Sequence, residues 1–309
     1  MAQKINRATS GVYIISATPF TDAGALDLES LRRLVDFYLG HGVSGLTILG
    51  MMGEADKLTA AERRQVVDTV IETAGGLPVV VGVSDAGLRN LADLGRYAMD
   101  RGAAGLMVAP NAGPPREDRI EAYIHAVCDA LGSDVPLVFQ DFPLATGQPV
   151  SASLIRRLTV ERPQIVMLKH EDWPGLSKIT ALRKQEEATG VERLSILCGN
   201  GGLYLPQELQ RGADGAMTGF AYPEALVQTV ALHQAGQPDA AEDLFDRYLP
   251  ILRHEQQPGF GLAVRKYVMM RRGAIASAAT RAPGPKLSPT DIAEIDRLMA
   301  RTEARLREA

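Results

Sequence analysis

A lysine closes an apolar run: Ile165, Val166, Met167 and Leu168 lead directly into Lys169, followed by His170 and Glu171. An ammonium at the end of a buried strand loses hydration, which favours the free amine near neutral pH. Such an amine attacks a ketone and forms a Schiff base. The iminium then draws electrons from the neighbouring carbon and makes a proton there removable. The plainer reading is a structural ion pair with Asp141 or Glu171. Of the seven lysines, only Lys169 ends such a run.

A second stretch, Gly50-Met51-Met52-Gly53-Glu54, follows another apolar run, and a helix start lies soon after it. Closely spaced glycines expose backbone N–H groups, so the amides around Met52 and Gly53 form a candidate carboxylate cradle. Glu54 either joins that cradle or bonds the backbone across the loop. Thr18, Asn111, Gln140, Asp141, Asn200 and Thr218 also stand at the ends of apolar runs. His170 adjoins Lys169 and so faces the other way along a strand. The five histidines are scattered without metal-ligand spacing, so neither a metal nor a cofactor is expected. Cys128 and Cys198 sit inside apolar patterns and read as packing.

The elements that must position these residues recur with a spacing of mostly about thirty residues. Eight β-rich runs lie at 12–20, 45–50, 78–83, 105–110, 136–142, 165–169, 194–199 and 215–220. Most are continuously apolar, as parallel strands covered on both faces must be. Amphipathic segments alternate with them. In the first, Leu31, Leu34, Val35 and Tyr38 share a stripe that Gly42 stops; another begins with Thr59 and Glu62 as a capping box. Eight βα units in series predict a (β/α)8 TIM barrel, an α/β fold whose chemistry sits at the C-terminal ends of its strands. A doubly wound open sheet is the alternative. Past residue 222 four helical segments follow, giving a barrel over 1–235 and a C-terminal helical appendage over 236–309.

The whole composition limits the function classes. The 309 residues carry 33 basic and 37 acidic side chains and are 46% apolar, a balance that supports a large core and disfavours nucleic acid as a partner. No apolar stretch is long enough to span a bilayer. The start lacks a signal-peptide pattern, and two cysteines make no disulfide framework, so a cytoplasmic location is expected.

With these residues in place, the chain resembles the dihydrodipicolinate synthase / N-acetylneuraminate lyase family along essentially its whole length. The resemblance rests on SATPF at 16–20, GMMGE at 50–54, FQDFPLATG at 139–147, IVMLKHE at 165–171 and GADGAMTG at 212–219. It implies a Schiff base on Lys169, a 2-keto acid substrate and a homotetramer built as a dimer of dimers. The departures are informative. Met51 and Met52 stand where the family has two threonines. Gln140 replaces the strand-five tyrosine, the relay tyrosine falls near Asn111–Ala112, and Ala145 replaces an arginine.

The FQDFP, Lys169-His170-Glu171, MTG, His254-Glu255 and GAIAS segments are similar to the 2-keto-3-deoxy-L-arabonate dehydratase branch. That resemblance implies dehydration of the sugar acid to 2-oxoglutarate semialdehyde, with Lys169 catalytic. Gln140 would orient a water or the sugar hydroxyls, and Asp141 or Glu171 would act as the partner of Lys169 or as the acid. Thr18, Met52, Gly53, Glu54, Asn111, Asn200 and Thr218 are the expected substrate contacts. Two alternatives stay open: an aldolase releasing pyruvate from a related acid, and a catalytically silent barrel that binds.

Overall fold

A computed structural model describes residues 2–110 and 115–308. Its strands are β1 (Gly11–Ile15), β2 (Gly45–Ile48), β3 (Val79–Gly82), β4 (Gly105–Val108), β5 (Leu137–Asp141), β6 (Ile165–His170), β7 (Ser195–Cys198) and β8 (Gly215–Ala216). All pair in parallel and in chain order, and β8 closes onto β1. This is the expected TIM barrel.

The helices are α1 (Leu28–Gly40), α2 (Ala60–Thr73), α3 (Leu88–Asp100), α4 (Glu117–Leu131), the single turn α5 (Pro143–Thr146), α6 (Ala152–Glu161), α7 (Leu176–Thr189), α8 (Leu205–Gln210), α9 (Pro223–Gln234), α10 (Pro238–Glu255), α11 (Gly261–Arg271) and α12 (Pro289–Arg307). The stripe on α1 is buried as its spacing demands. The capping box of α2 forms, with the Glu62 amide donating to Thr59 Oγ1 and the Thr59 amide to the Glu62 carboxylate.

Two strands are much shorter than their apolar runs. β1 ends at Ile15 because the segment beyond it turns to other partners: Thr18 bonds the β2 loop, and Pro19 has no N–H for a ladder. β8 is two residues long, although the chain stays beside β1, whose Ile15 amide donates to the Thr218 carbonyl.

Alternation along the strands creates two apolar layers. Tyr13, Ile15, Val80, Met107, Val138, Met167, Leu197 and Met217 fill the barrel interior. Ile14, Leu46, Val81, Leu106, Phe139, Leu168 and Ile196 pack outward against the helices. The same parity fixes the polar residues that follow. On β6, Met167 points inward and Leu168 outward, so Lys169 and Glu171 turn inward and His170 outward. On β5, Val138 is inward and Phe139 outward, so Gln140 is inward and Asp141 outward.

The C-terminal helices pack on the mouth end of the barrel and contribute to it. Helix α10 lies against α9 and α12. Lys266 of α11 is fully buried and reaches Glu54 in the loop after β2 at 2.6 Å. Arg281, in the loop before α12, grips the Glu62 carboxylate with both terminal nitrogens, at 2.8 and 2.6 Å. Together with the cap hydrogen bonds, that guanidinium lowers the Glu62 carboxyl to about 2. A carboxyl depressed in the folded state stabilises above its unfolded pKa and loses that contribution as pH falls. Glu62→Gln is therefore expected to cost about 1 kcal/mol at neutral pH. It should also flatten the loss of stability that urea titrations show in the wild type between about pH 4.5 and 2. An unchanged acid slope would contradict this role.

Candidate active site

Lys169 and Gln140 pair across β6 and β5 in register, both inward, at the C-terminal ends of their strands. Lys169 Nζ lies 2.8 Å from Glu171 Oε2, and Gln140 Nε2 donates to the same oxygen at 2.7 Å. The Asn200 amide donates to the other carboxylate oxygen at 3.3 Å. All three side chains are buried. An isolated ammonium or carboxylate would be costly there; together they compensate one another. Glu171 fits because residue 199 is glycine: a Cβ at that position would stand 2.1 Å from Glu171 Cγ.

These groups line a chamber of about 90 Å³, with Ile15, Met51, Met52, Phe142, Asn200, Thr218, Gln256 and Arg265 completing much of its wall. A cavity of about 150 Å³ admits a benzene-sized guest, so this chamber suits the reacting end of a ligand, the rest of which must extend beyond it. A wider cavity of about 640 Å³ shares Met51 and Gln140 with it. The smaller chamber thus holds the amine, a carboxylate 2.8 Å from it, and the buried N–H donors of Gln256 and Arg265 in its lining. That is the equipment for attack on a carbonyl with proton exchange beside it.

The structure brings Lys169, Gln140, Glu171, Met52, Asn200 and Thr218 to this chamber and moves other expected residues away from it. Asp141 is corrected outright. It faces outward, is fully buried, and pairs with Lys178 of α7 at 2.7 Å. Burial pushes its carboxyl up to about 6, against the opposing pull of Lys178. Its neighbour His170 is also outside the barrel, as expected. Burial lowers that imidazole to about 4.

Glu54 is corrected too. Its oxygens are taken by Lys266, by Lys57 at 2.9 Å and by the Arg281 amide at 2.9 Å, so the carboxylate staples the loop after β2. Thr18 donates its hydroxyl to the Gly53 carbonyl at 2.6 Å, which makes it a brace of the same loop. The Gly53 amide is spent on Gly50, so the cradle expected at Gly53 moves back toward Met51 and Met52. Asn111 lies outside the described residues.

Sequence reasoning missed Arg265, which enters from α11, whereas Gln256 lies in the 253–262 stretch that the sequence offers as a contributor to the pocket. The available signal was the pair Arg265-Lys266 inside the apolar run Ala263 to Met269, where both are buried. Among the described residues, the one cluster with metal-ligand proximity is Glu121, His125 and Glu161, on the outer helices α4 and α6. It takes no part in the chamber.

Comparison with known proteins follows the same lines. Residues 8–301 match the dihydrodipicolinate synthetase family. A relative described as L-2-keto-3-deoxyarabonate dehydratase, from Azospirillum brasilense, is 32% identical over 291 residues, 92% of each chain. A 4-hydroxy-tetrahydrodipicolinate synthase from Methanothrix thermoacetophila is 31% identical over 79% of this chain and 80% of its own. A crystal structure of dihydrodipicolinate synthase from Rhodopseudomonas palustris superposes with a TM-score of 0.95 at 46% identity, covering 97% of this chain and all of that one.

The placement of Asp141 is testable. Asp141→Asn removes one of the two carboxylates on Lys178, which keeps Asp172 at 2.7 Å, and burial already disfavours the Asp141 charge, so urea stability at neutral pH is expected to change by no more than about 1 kcal/mol. Turnover by the folded variant should stay within about threefold of wild type. A hundredfold loss of turnover at unchanged stability would return Asp141 to the catalytic groups.

Proposed function

The chain belongs to the dihydrodipicolinate synthetase family, and from that premise we propose that it is a Schiff-base-forming dehydratase of a 2-keto-3-deoxy sugar acid, with 2-keto-3-deoxy-L-arabonate as the substrate. The observation that carries this reading is Glu171 Oε2, placed 2.8 Å from Lys169 Nζ and 2.7 Å from Gln140 Nε2 in one chamber. Support also comes from the side chains at 51, 52, 140 and 145. They lack the hydroxyls and the arginine of a synthase relay, while Gln140 and Glu171 accompany the resemblance to the dehydratase branch.

In this mechanism Glu171 takes a proton from the Lys169 ammonium, and the free amine attacks the C2 ketone. Loss of water from the carbinolamine gives the iminium. A C3 proton leaves, and the electron pair becomes the enamine. That pair then expels the C4 hydroxyl, which departs as water with a proton from Glu171. One carboxylate thus alternates as base and acid, held in place by the Gln140 and Asn200 donors. The product at this stage is an unsaturated iminium. One proton from C5 and one from its hydroxyl reach C3 and C4, turning the terminal alcohol into an aldehyde. Hydrolysis of the imine releases 2-oxoglutarate semialdehyde and restores the lysine. Gln140 orients Glu171 and serves as neither acid nor base. The fold family's tetrameric assembly is proposed to hold here for packing reasons.

The aldolase alternative uses the same Schiff base but breaks C3–C4 in place of C4–O. Carbon-13 NMR of a reaction started with 2-keto-3-deoxy-L-arabonate separates them. The dehydratase reading expects the semialdehyde and no pyruvate; stoichiometric pyruvate would contradict it. In the same assay Glu171→Gln is expected to lower kcat by about 10²–10⁴-fold, the range of a lost acid–base group.

A further inference from the structure

Arg265 is 1% exposed, and its guanidinium is held from one side only. Its Nε pairs with Glu255, whose other oxygen accepts from the Ala221 amide. Its Nη1 has no hydrogen-bond partner, although it is buried and belongs to a residue lining the Lys169 chamber. Leaving a buried guanidinium N–H unpaired is expensive, and an arginine does not shed its proton to escape the cost. The backbone makes specific room for it: a Cβ at Gly219 would sit 2.1 Å from Nη1. Across the wall, Gln256 Nε2 is also buried and without a partner. The chamber therefore presents donors that await an acceptor.

We propose that Arg265 anchors the carboxylate of the substrate, a conclusion that rests on the Schiff-base reading of Lys169. In a 2-keto acid the carboxylate is one bond from the carbon that the amine attacks. Its anchor must therefore share the small chamber with Lys169, as Arg265 does. Lys169 goes to the ketone and Gln140 Nε2 is held by Glu171, while the other lining side-chain donors, Asn200, Thr218 and Gln256, carry no charge. Met51 and Met52, in the turn after β2, offer the carboxylate backbone N–H groups but no side-chain donor, so Arg265 adds the charged contact that they cannot. Arg265 remains cationic with Glu255 on its Nε edge, so its unpartnered Nη1 offers the anion a charge-assisted hydrogen bond.

The test compares pyruvate with methyl pyruvate, which carries the same ketone without the charge. The concentration giving half-maximal cyanoborohydride-trapped adduct is measured for both in the wild type and two variants. Arg265→Met combined with Glu255→Gln removes both buried charges together. Arg265→Lys keeps a cation for Glu255 but withdraws the second arm of the fork. The paired variant is expected to need at least about tenfold more pyruvate, the effect of losing a hydrogen bond to a charged group. Arg265→Lys should need about threefold more or above, and methyl pyruvate should change by less than about twofold in each. An equal rise for both ligands, or no rise in a folded variant, would overturn the anchor while leaving Lys169 labelled. A wild type that traps methyl pyruvate as readily as pyruvate would also overturn it. No adduct in the wild type would instead overturn the Schiff-base reading, and the anchor with it.

Discussion

Everything at the mouth of this barrel depends on a charge pair kept out of water. Lys169 and Glu171 lie two residues apart at the end of β6, so the pleat turns both inward, and their side chains meet at 2.8 Å. Either charge alone would cost several kcal/mol in that setting, and removing one partner of such a pair typically costs about 3–5 kcal/mol. The surroundings are arranged around that cost. Gln140 on β5 and the Asn200 amide after β7 saturate the carboxylate, and Gly199 clears the space it occupies. The pair that threatens stability is the pair that can exchange a proton, so the same burial that makes it expensive makes it useful.

The C-terminal helices belong to this arrangement as much as the strands do. Lys266 of α11 fastens the loop after β2 through Glu54, and the next residue back, Arg265, reaches the chamber. Glu255, at the end of α10, holds Arg265 and the Ala221 amide together; burial raises its carboxyl while the guanidinium opposes the rise. Helix ends, loop and barrel mouth are thereby cross-linked by buried charges. Ion pairs of this kind are poor sources of net stability but hold groups in one geometry, which is what a reacting chamber requires.

Much of this was legible in the sequence, and the reasons differ by element. The barrel was readable because parallel strands covered on both faces leave continuous apolar runs, and eight of them at regular spacing admit few topologies. Lys169 was readable because a lysine that ends such a run has little else to do. Strand parity alone would have separated Glu171 from Asp141, since an even spacing from Lys169 shares its face, whereas Asp141 follows the inward Gln140 by one. Glu54 and Thr18 were harder. Their positions at strand ends matched a ligand site, and only the approach of Lys266 and Arg281 from more than two hundred residues away shows that Glu54 is spent on the fold. Arg265 was hidden for the same reason: no local pattern announces which helix of an appendage will lean into the barrel.

The central claim is that Lys169 forms the covalent link to substrate. Incubating the protein with 2-keto-3-deoxy-L-arabonate and borohydride, then mapping peptides by mass spectrometry, tests it directly. The account predicts one reduced adduct per chain, located on Lys169 and absent from Lys169→Ala. A folded protein that turns the sugar acid over without labelling Lys169, or that is labelled equally at Lys178 or Lys266, would contradict it.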